Sequence, residues 1–247
     1  MDQLRIHRVQ TPLRTCTAWR GMGDCLACDG RENAFFGGLS PDAIGRMHVN
    51  VDNIAIPAGE VLYEPSSPAK TVWVLRTGAV KLLASSWDGV QRIVRVLKPG
   101  DVAGLEALLA GRYAHVAMTL GEVRACRVPL AEIEQLCLEQ SSFQWNLMQK
   151  LQAALRETEQ WLVDMASPGA SARVRMARLL LRLRDGESNR IYNFTRDDLG
   201  RMLGIALETA SRIIASFQRE RLLIRRPGGD RFYDGDIHRL EMIARGT

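Results

Sequence analysis

The chain has 247 residues, of which 46% are hydrophobic and 25% are charged, a composition typical of a globular protein with one or two domains. It has no run of about 18 apolar residues, and its first ten residues lack the apolar segment of a signal peptide, so we expect a cytoplasmic protein without membrane contact. The net charge of +5 lies in the C-terminal third, since residues 171–247 hold 16 Arg against 10 acidic residues, which predicts contact with nucleic acid phosphates.

The N-terminal segment, residues 1–38, has no clear periodicity but is rich in cysteine and glycine. It holds three of the five cysteines of the chain: Cys16, Cys25 and Cys28. Because disulfides are rare in the cytoplasm, these cysteines indicate metal ligands, reactive thiols or small core residues.

The next part of the chain predicts a short helix and then many strands. Residues 39–49 predict the helix, with Ser40 as its N-cap. The strand candidates between residues 51 and 129 are VDNIAI, EVLYE, TVWVLR, AVKLLASS, QRIVRVL, VAMTL and CRVP. Turn signals such as Asp88-Gly89 and Pro99-Gly100 separate them. Many short strands at such spacing are typical of an antiparallel roll or barrel.

From Leu130 to Met165 the apolar pattern becomes helical. Six residues step alternately by three and four, over about three heptads: Met148, Leu151, Leu155, Thr158, Leu162 and Met165. A helix of this length leaves a long apolar stripe exposed unless another surface covers it. Either a second copy of the chain covers the stripe, or the stripe packs on the roll of the same chain; we expect the dimer.

A helix-turn-helix is predicted beyond the hinge candidate Ser167-Pro168-Gly169. Residues 195–218 read as a helix, a tight turn and a second helix, with Thr195 as N-cap and Gly204 in the left-handed conformation of the turn. The segments LLIRR and RFY flank Pro-Gly-Gly-Asp, which predicts a hairpin that forms a wing beside the second helix.

The polar face of that second helix carries side chains able to read DNA bases. A helix-turn-helix places its second helix in the major groove, and such proteins usually bind paired half-sites. Glu208 can accept a hydrogen bond from cytosine N4, Arg212 can donate to guanine O6 and N7, and Ser211 can donate or accept. The alternative is an ordinary helical hairpin with a solvated polar face, but the positive charge of this region favours DNA.

A β-roll, a long helix and a winged helix-turn-helix, in that order, resemble the Crp/Fnr family of bacterial transcription regulators. The resemblance implies an α+β fold with an N-terminal antiparallel β-roll of the cyclic-nucleotide-binding jelly-roll type, a long dimerisation helix and a C-terminal winged helix-turn-helix. The implied parts are the cysteine-bearing segment, the roll, the dimerisation helix and the DNA-binding domain, at 1–38, 39–138, 139–167 and 168–247.

The stretch LETASRIIASFQRERLL resembles the Fnr-type recognition helix with its E-x-x-S-R signature. The resemblance implies that double-stranded DNA is contacted by four residues: Glu208, Thr209, Ser211 and Arg212. It also implies a palindromic target with TTGAT-like half-sites, a homodimer and RNA polymerase as a partner.

The resemblance argues against a cyclic nucleotide as effector. Family members that bind one have an acidic residue after the glycine of a G-E-L motif and then an Arg-Ser or Arg-Thr pair. The corresponding run here is GDVAGLEALLAGRYAHVAM, in which Leu105 follows Gly104 and no such pair occurs.

The cysteines imply a different effector, a [4Fe–4S] cluster that senses oxygen, nitric oxide or redox state. Cys126, in VRACRVP, stands where Fnr-type regulators have their internal cluster ligand, and the implied ligands are Cys16, Cys25, Cys28 and Cys126. The order differs from the usual one, because the close pair of cysteines comes last. Cys137 is expected to pack among apolar residues. A structural zinc site, metal-free thiol chemistry, haem-bound gas or a small metabolite in the roll remain alternatives.

We expect no enzyme. The sequence contains no Walker loop, no HExxH and no GxSxG motif, and its Ser, His and Asp residues follow no catalytic pattern. A binding module that acts independently of DNA is the remaining alternative.

Overall fold

The computed structural model describes residues 35–37, 39–48, 50–85, 87, 89, 91–166, 169–226 and 229–246. Three of the predicted cluster ligands, Cys16, Cys25 and Cys28, lie outside the described residues, as do two residues of the hinge candidate. Among the described residues, no helix is both long and apolar enough to cross a bilayer.

Two four-stranded sheets form an N-terminal roll. Its strands are β1 (Asp52–Ile56), β2 (Val61–Tyr63), β3 (Thr71–Thr77), β4 (Val80–Ser85), β5 (Gln91–Leu97), β6 (Val102–Ala103), β7 (Val116–Thr119) and β8 (Val123–Pro129). One sheet has the order β1-β8-β3-β6 and the other β2-β7-β4-β5, and every pairing is antiparallel. The predicted antiparallel roll is therefore confirmed.

Apolar side chains from both sheets meet inside the roll and form its core. Val80 and Leu82 of β4 point into this core, which also contains Trp73 of β3 and Ala125 of β8. Gly78 forms the turn before β4 at a φ of 83°, and a Cβ there would lie 2.5 Å from a backbone oxygen, so only glycine fits.

The described residues form eight helices and one further sheet. The helices are α1 (Pro41–His48), α2 (Ala107–Ala110), α3 (Leu130–Glu139), α4 (Ser141–Ala166), α5 (Ala172–Arg182), α6 (Arg196–Leu203), α7 (Leu207–Arg219) and α8 (Ile237–Arg245). The strands of the second region are β9 (Arg190–Tyr192), β10 (Leu223–Arg226) and β11 (Gly229–Gly235), in the order β10-β11-β9.

The helical stretch that begins at Leu130 is two helices rather than one. Gln140 separates α3 from α4 with extended backbone angles, φ −132° and ψ 98°. Two serines follow it, and serine side chains favour helix starts because they compete for backbone hydrogen bonds. The second helix, α4, has 26 residues and is therefore about 39 Å long.

The C-terminal region packs on the roll of the same chain. A continuous apolar cluster includes Leu83 and Ile93 of the roll together with Leu180 of α5 and Phe217 of α7. The roll and the C-terminal region therefore share one apolar core. The division of the chain at residues 38, 138 and 167 stays a prediction.

Candidate DNA-binding and sensor sites

Local sequence signals shape the turn between α6 and α7. The Thr195 hydroxyl caps α6 by accepting a hydrogen bond from the Asp198 backbone N–H at 3.0 Å. Gly204 follows α6 at a φ of 61°. A Cβ on Gly200 would lie 2.9 Å from the Ile205 carbonyl oxygen, so this glycine lets the chain turn back closely. Both predicted signals, the cap and the turn glycine, are confirmed.

The four predicted DNA-contacting residues lie together on the N-terminal half of α7. Glu208 and Arg212, one turn apart, are exposed, and Thr209 and Ser211 are half-buried beside them. The opposite face of α7 is fully buried and consists of Ala210, Ile214 and Phe217. The helix therefore presents one polar face outward, while the other face anchors it.

A polar network that sequence reasoning missed fixes the far end of α7. The Arg173 guanidinium, at the start of α5, donates to Ser216 Oγ at 3.1 Å and to Glu220 Oε1 at 3.0 Å. It also stacks over the Phe217 ring, 4.7 Å from the centroid. Hydrogen bonds from Arg173, and then from Ser216, lower the pKa of Glu220 to about 2. No local pattern pairs residues more than 40 positions apart, so the sequence holds no signal for this network.

The Glu220 network predicts a pH-dependent contribution to stability. Because the native pKa lies below the ordinary value of 4.5, the contribution is complete above pH 4.5 and is lost as the pH falls towards 2. We expect Glu220→Gln to lower the free energy of unfolding at pH 7 by at most about 1 kcal/mol, since solvent screens this partly exposed pair. Urea unfolding at pH 7 and pH 4 measures the difference between the two proteins, which should shrink at the lower pH. Glu187→Gln, an exposed change of equal charge, is the control, and a pH-independent difference would contradict the assignment.

Part of the positive charge of the C-terminal region is used inside the protein. Arg175 donates to the Leu203 carbonyl at 3.0 Å, and Arg178 donates to the Ala244 carbonyl at 2.9 Å. Arg196 donates to the Tyr233 hydroxyl at 2.9 Å. The count of arginines therefore overstates the charge available to DNA phosphates.

The described member of the predicted cysteine set, Cys126, lies half-buried on β8. Its Sγ donates a hydrogen bond to Asn53 Oδ1 of the neighbouring strand β1 at 3.2 Å. The cysteine packs against an apolar cluster that also contains Ile44 of α1 and Phe35, which precedes that helix.

Within the described residues, no three His, Cys, Asp or Glu side chains come together in a way that could hold a metal ion. Cys137, on α3, is half-buried against the same cluster as Cys126, as expected for a packing residue. Burial, and then the charge of Glu134, raise the pKa of the Cys137 thiol.

The helix α4 has an exposed apolar stripe, as the heptad pattern predicts. Its members are between 38% and 66% exposed: Trp145, Met148, Leu151, Leu155, Leu162 and Val163. Polar residues on another face bind the roll, since Glu157 pairs with Arg95 at 2.8 Å and Lys150 donates to the Gly100 carbonyl at 3.3 Å. The roll of the same chain therefore does not cover the stripe.

Comparison with known proteins identifies both regions. A family model described as the cyclic nucleotide-binding domain matches residues 54–140, and a model described as the Crp-like helix-turn-helix domain matches residues 174–243. The chain belongs to the Crp/Fnr family of transcription regulators. As a Crp/Fnr protein it is a dimeric, DNA-binding transcription regulator, and the relatives named below are regulators rather than enzymes.

Two curated Crp/Fnr relatives cover most of the chain. The transcriptional regulatory protein btr of Bordetella pertussis is 26% identical over 179 residues, which are 70% of this chain and 73% of the relative. The transcriptional activator protein Anr of Pseudomonas protegens is 25% identical over 170 residues, 67% of this chain and 70% of the relative.

Solved structures share the Crp/Fnr fold. FixK2 from Bradyrhizobium japonicum has a TM-score of 0.67 at 24% identity, over 78% of this chain and 96% of that one. The regulator TTHB099 of Thermus thermophilus has a TM-score of 0.63 at 22% identity, over 78% of this chain and 96% of that one.

The roll differs from a cyclic-nucleotide-binding Crp/Fnr roll at the position after Gly104. Leu105 there is buried in the apolar cluster around Phe35. The next carboxylate, on Glu106, already accepts a hydrogen bond from the Tyr63 hydroxyl at 3.3 Å and lies 3.4 Å from His115 Nδ1. That the effector is not a cyclic nucleotide stays a prediction.

A cavity of about 290 Å³ opens between β1, β2 and β3 of the roll. Ligand pockets in proteins usually start at about 300 Å³. Its six apolar and aromatic lining residues from the roll core are at most 9% exposed, because their surfaces already pack on one another: Ile54, Ile56, Leu62, Tyr63, Trp73 and Tyr113. We assign no ligand to this cavity.

Proposed function

We propose that this regulator acts in the cytoplasm as a homodimer, reads a palindrome of TTGAT-like half-sites and senses oxygen, nitric oxide or redox state through a [4Fe–4S] cluster. The observation that carries the DNA-reading part is the outward face of α7, on which Glu208 and Arg212 stand one turn apart. A guanidinium and a carboxylate at this spacing suit a guanine and the cytosine of an adjacent or opposing position. The relatives of this regulator include a protein of Pasteurella multocida that is named anaerobic regulatory protein.

Equilibrium binding to labelled duplexes tests this part. The wild-type protein should bind a TTGAT palindrome at least 10³-fold more tightly than a duplex of shuffled sequence at the same salt concentration, as specific DNA-binding proteins do. Equal affinity for the two duplexes would show that α7 does not read bases.

We propose that the stripe on α4 is the contact between two copies. Knobs-into-holes packing of two parallel or antiparallel helices requires an apolar seam over several heptads, and α4 exposes such a seam along most of its length. The same contact would bring two α7 helices to neighbouring half-sites about one DNA turn apart.

Leu155→Glu is expected to separate the dimer, because it places a charge in the middle of the buried seam. Light scattering after size exclusion should report the 27.6 kDa monomer where the wild-type protein runs at twice that mass. Leu109→Glu is the matched control, since Leu109 is an exposed leucine on α2, outside the stripe on α4. A Leu155→Glu protein that stays dimeric would place the contact elsewhere.

The [4Fe–4S] proposal rests on the donor set and on the position of Cys126. Four thiolates are the usual ligands of such a cluster. Cys28 and Phe35 are seven positions apart in the sequence, and an extended chain spans at most about 3.5 Å per residue, so the segment that joins them reaches at most about 25 Å. Phe35 and Cys126 belong to the same apolar cluster. A half-buried thiol that packs on the same group of apolar residues as Phe35 supports Cys126 as the fourth ligand.

The residues that follow the N-terminal cysteines contact α4 directly. The Phe35 ring lies 5.2 Å from the Phe143 ring, and Asn146 of α4 donates to the Gly37 carbonyl. When bound, the cluster supplies thiolate-ligated iron that reacts with oxygen or nitric oxide. Residues 35–37 pack on α4, so we propose that a change at the cysteines reaches the proposed dimer contact through them.

Anaerobic purification tests the cluster. Iron and sulfide near four of each per chain, with a broad absorption shoulder near about 400 nm, are expected for a [4Fe–4S] protein. A sharp Soret band would instead indicate haem. A colourless, iron-free protein that binds its operator fully would disprove the proposed sensor while leaving the DNA-reading part intact.

A further inference from the structure

The C-terminal region is bound to the roll through the outer face of β4 and β5. Ala79 and Leu83, which alternate with the core residues of β4, belong to the apolar cluster that contains Met202 and Leu203 of α6. Apolar surfaces of this kind hold two parts together but do not by themselves select one orientation, because the hydrophobic effect has no direction.

An ion pair with little exposure to solvent lies in this interface. Lys81 of β4 points to the same side as Ala79 and Leu83, and its Nζ lies 2.6 Å from Asp198 Oδ1 of α6. The two side chains are 15% and 8% exposed. The second carboxylate oxygen of Asp198 accepts a hydrogen bond from the Thr195 hydroxyl at 2.8 Å, so both oxygens have partners.

Such a pair selects a geometry more than it adds stability. Burying two charges costs solvation energy that their attraction offsets only in good geometry, so a shifted domain would leave both charges buried and unpaired. Other bonds across the interface end on backbone carbonyls, as from Lys98 to Arg182 at 3.0 Å and from Arg231 to Glu122 at 3.0 Å. The contact between Lys81 and Asp198 joins two side chains, so a substitution of either residue can remove it.

We propose that Lys81, a residue of the sensor roll, is a positioning residue for DNA reading. By holding Asp198 it sets the orientation of α6 on the roll. The short turn at Gly204 then transmits this orientation to α7, because Gly200 of α6 packs closely on the Ile205 backbone that leads into α7. In a dimer, the pair fixes the separation and rotation of the two reading helices. This inference rests on the proposed binding of a dimer to a palindrome.

The expected signature is a loss confined to DNA that needs both helices. Two linked DNA-reading helices gain about 10²-fold to 10⁴-fold in affinity only when their geometry matches both half-sites at once. An α7 helix whose orientation relative to the roll has changed still reads one half-site normally. Lys81→Met should therefore weaken binding to the palindrome by roughly tenfold to a hundredfold, with single-half-site binding changed less than about twofold.

The experiment compares three duplexes: the palindrome, one half-site, and the palindrome with one base pair inserted at its centre. The inserted base pair should weaken the binding of Lys81→Met less than it weakens the binding of the wild-type protein, since the two α7 helices are no longer fixed in rotation. Lys70→Met is the matched control; Lys70 is an exposed lysine of the same roll, and its loss changes the net charge equally. Circular dichroism and light scattering verify folding and the dimer.

A double variant guards against misfolding of the single one. Lys81→Met with Asp198→Asn removes both charges, leaves no unpaired buried charge and keeps an oxygen for the Thr195 hydroxyl. It should show the same loss on the palindrome alone. Unchanged palindrome binding, or equal losses on palindrome and half-site, would overturn the positioning role. Wild-type protein that fails to prefer the palindrome over shuffled DNA would instead refute the proposed function, and this inference with it.

Discussion

Arg212→Ala should abolish most of the preference for the TTGAT palindrome. Arg212 is exposed on the outward face of α7, where a guanidinium can donate to both O6 and N7 of guanine. Loss of one such contact costs about 1–3 kcal/mol per half-site, so a dimer loses about 2–6 kcal/mol, or roughly 30-fold to 10⁴-fold in affinity. Fluorescence anisotropy with duplexes that carry each base at the guanine position measures both the affinity and the discrimination.

Arg219→Ala is the control for charge. Arg219 is exposed in the last turn of the same helix, away from the residues predicted to read bases. If it contacts a phosphate, its loss should weaken all duplexes alike and reduce the slope of log affinity against log salt by about one per half-site. An Arg212→Ala protein that discriminates the guanine as well as wild type does would remove Arg212 from the set of base-reading residues.

Cys126→Ser should prevent cluster loading and leave the fold intact. Serine is close to cysteine in size and can keep a hydrogen bond with Asn53, so we expect the same circular dichroism spectrum and dimer. It supplies an alcohol in place of a thiolate, and iron–sulfur clusters bind thiolates. Iron and sulfide per chain, measured after anaerobic purification, should fall to background.

The second half-buried cysteine provides the matched control for that experiment. Cys137→Ser makes the same chemical change on α3, where burial, and then the charge of Glu134, raise the pKa of the native thiol. It should retain the full iron content. A full iron complement in Cys126→Ser, or equal losses in both variants, would exclude Cys126 as a specific ligand.

Local patterns in the sequence predict the elements whose signals are local. The Thr195 cap, the turn at Gly204 and the apolar face of α7 each depend on residues within a few positions, and the structure confirms them. The antiparallel roll is also predicted, because its strands are short, regularly spaced and separated by turn residues.

Features that depend on distant residues or very short segments are not predictable in this way. The strand β6 has two residues and α2 has four, too few to show any periodicity. The pairs Arg173–Glu220 and Lys81–Asp198 join residues 47 and 117 positions apart. Their partners become evident only when the tertiary fold brings them together, and the same holds for the arginines that bind backbone carbonyls inside the C-terminal region.

In the proposed regulator, a signal from the N-terminal cysteines would enter α4 where residues 35–37 contact that helix. Phe143 and Asn146 belong to its first two turns, and 20 residues, or about 30 Å of helix, follow before its end at Ala166. A change at the cysteines would therefore reach α4 near its N-terminal end, opposite to the end that precedes the helix-turn-helix region. In a dimer, the pairing of the two α4 helices would then change first at their N-terminal ends, and the heptads nearest the DNA would change last.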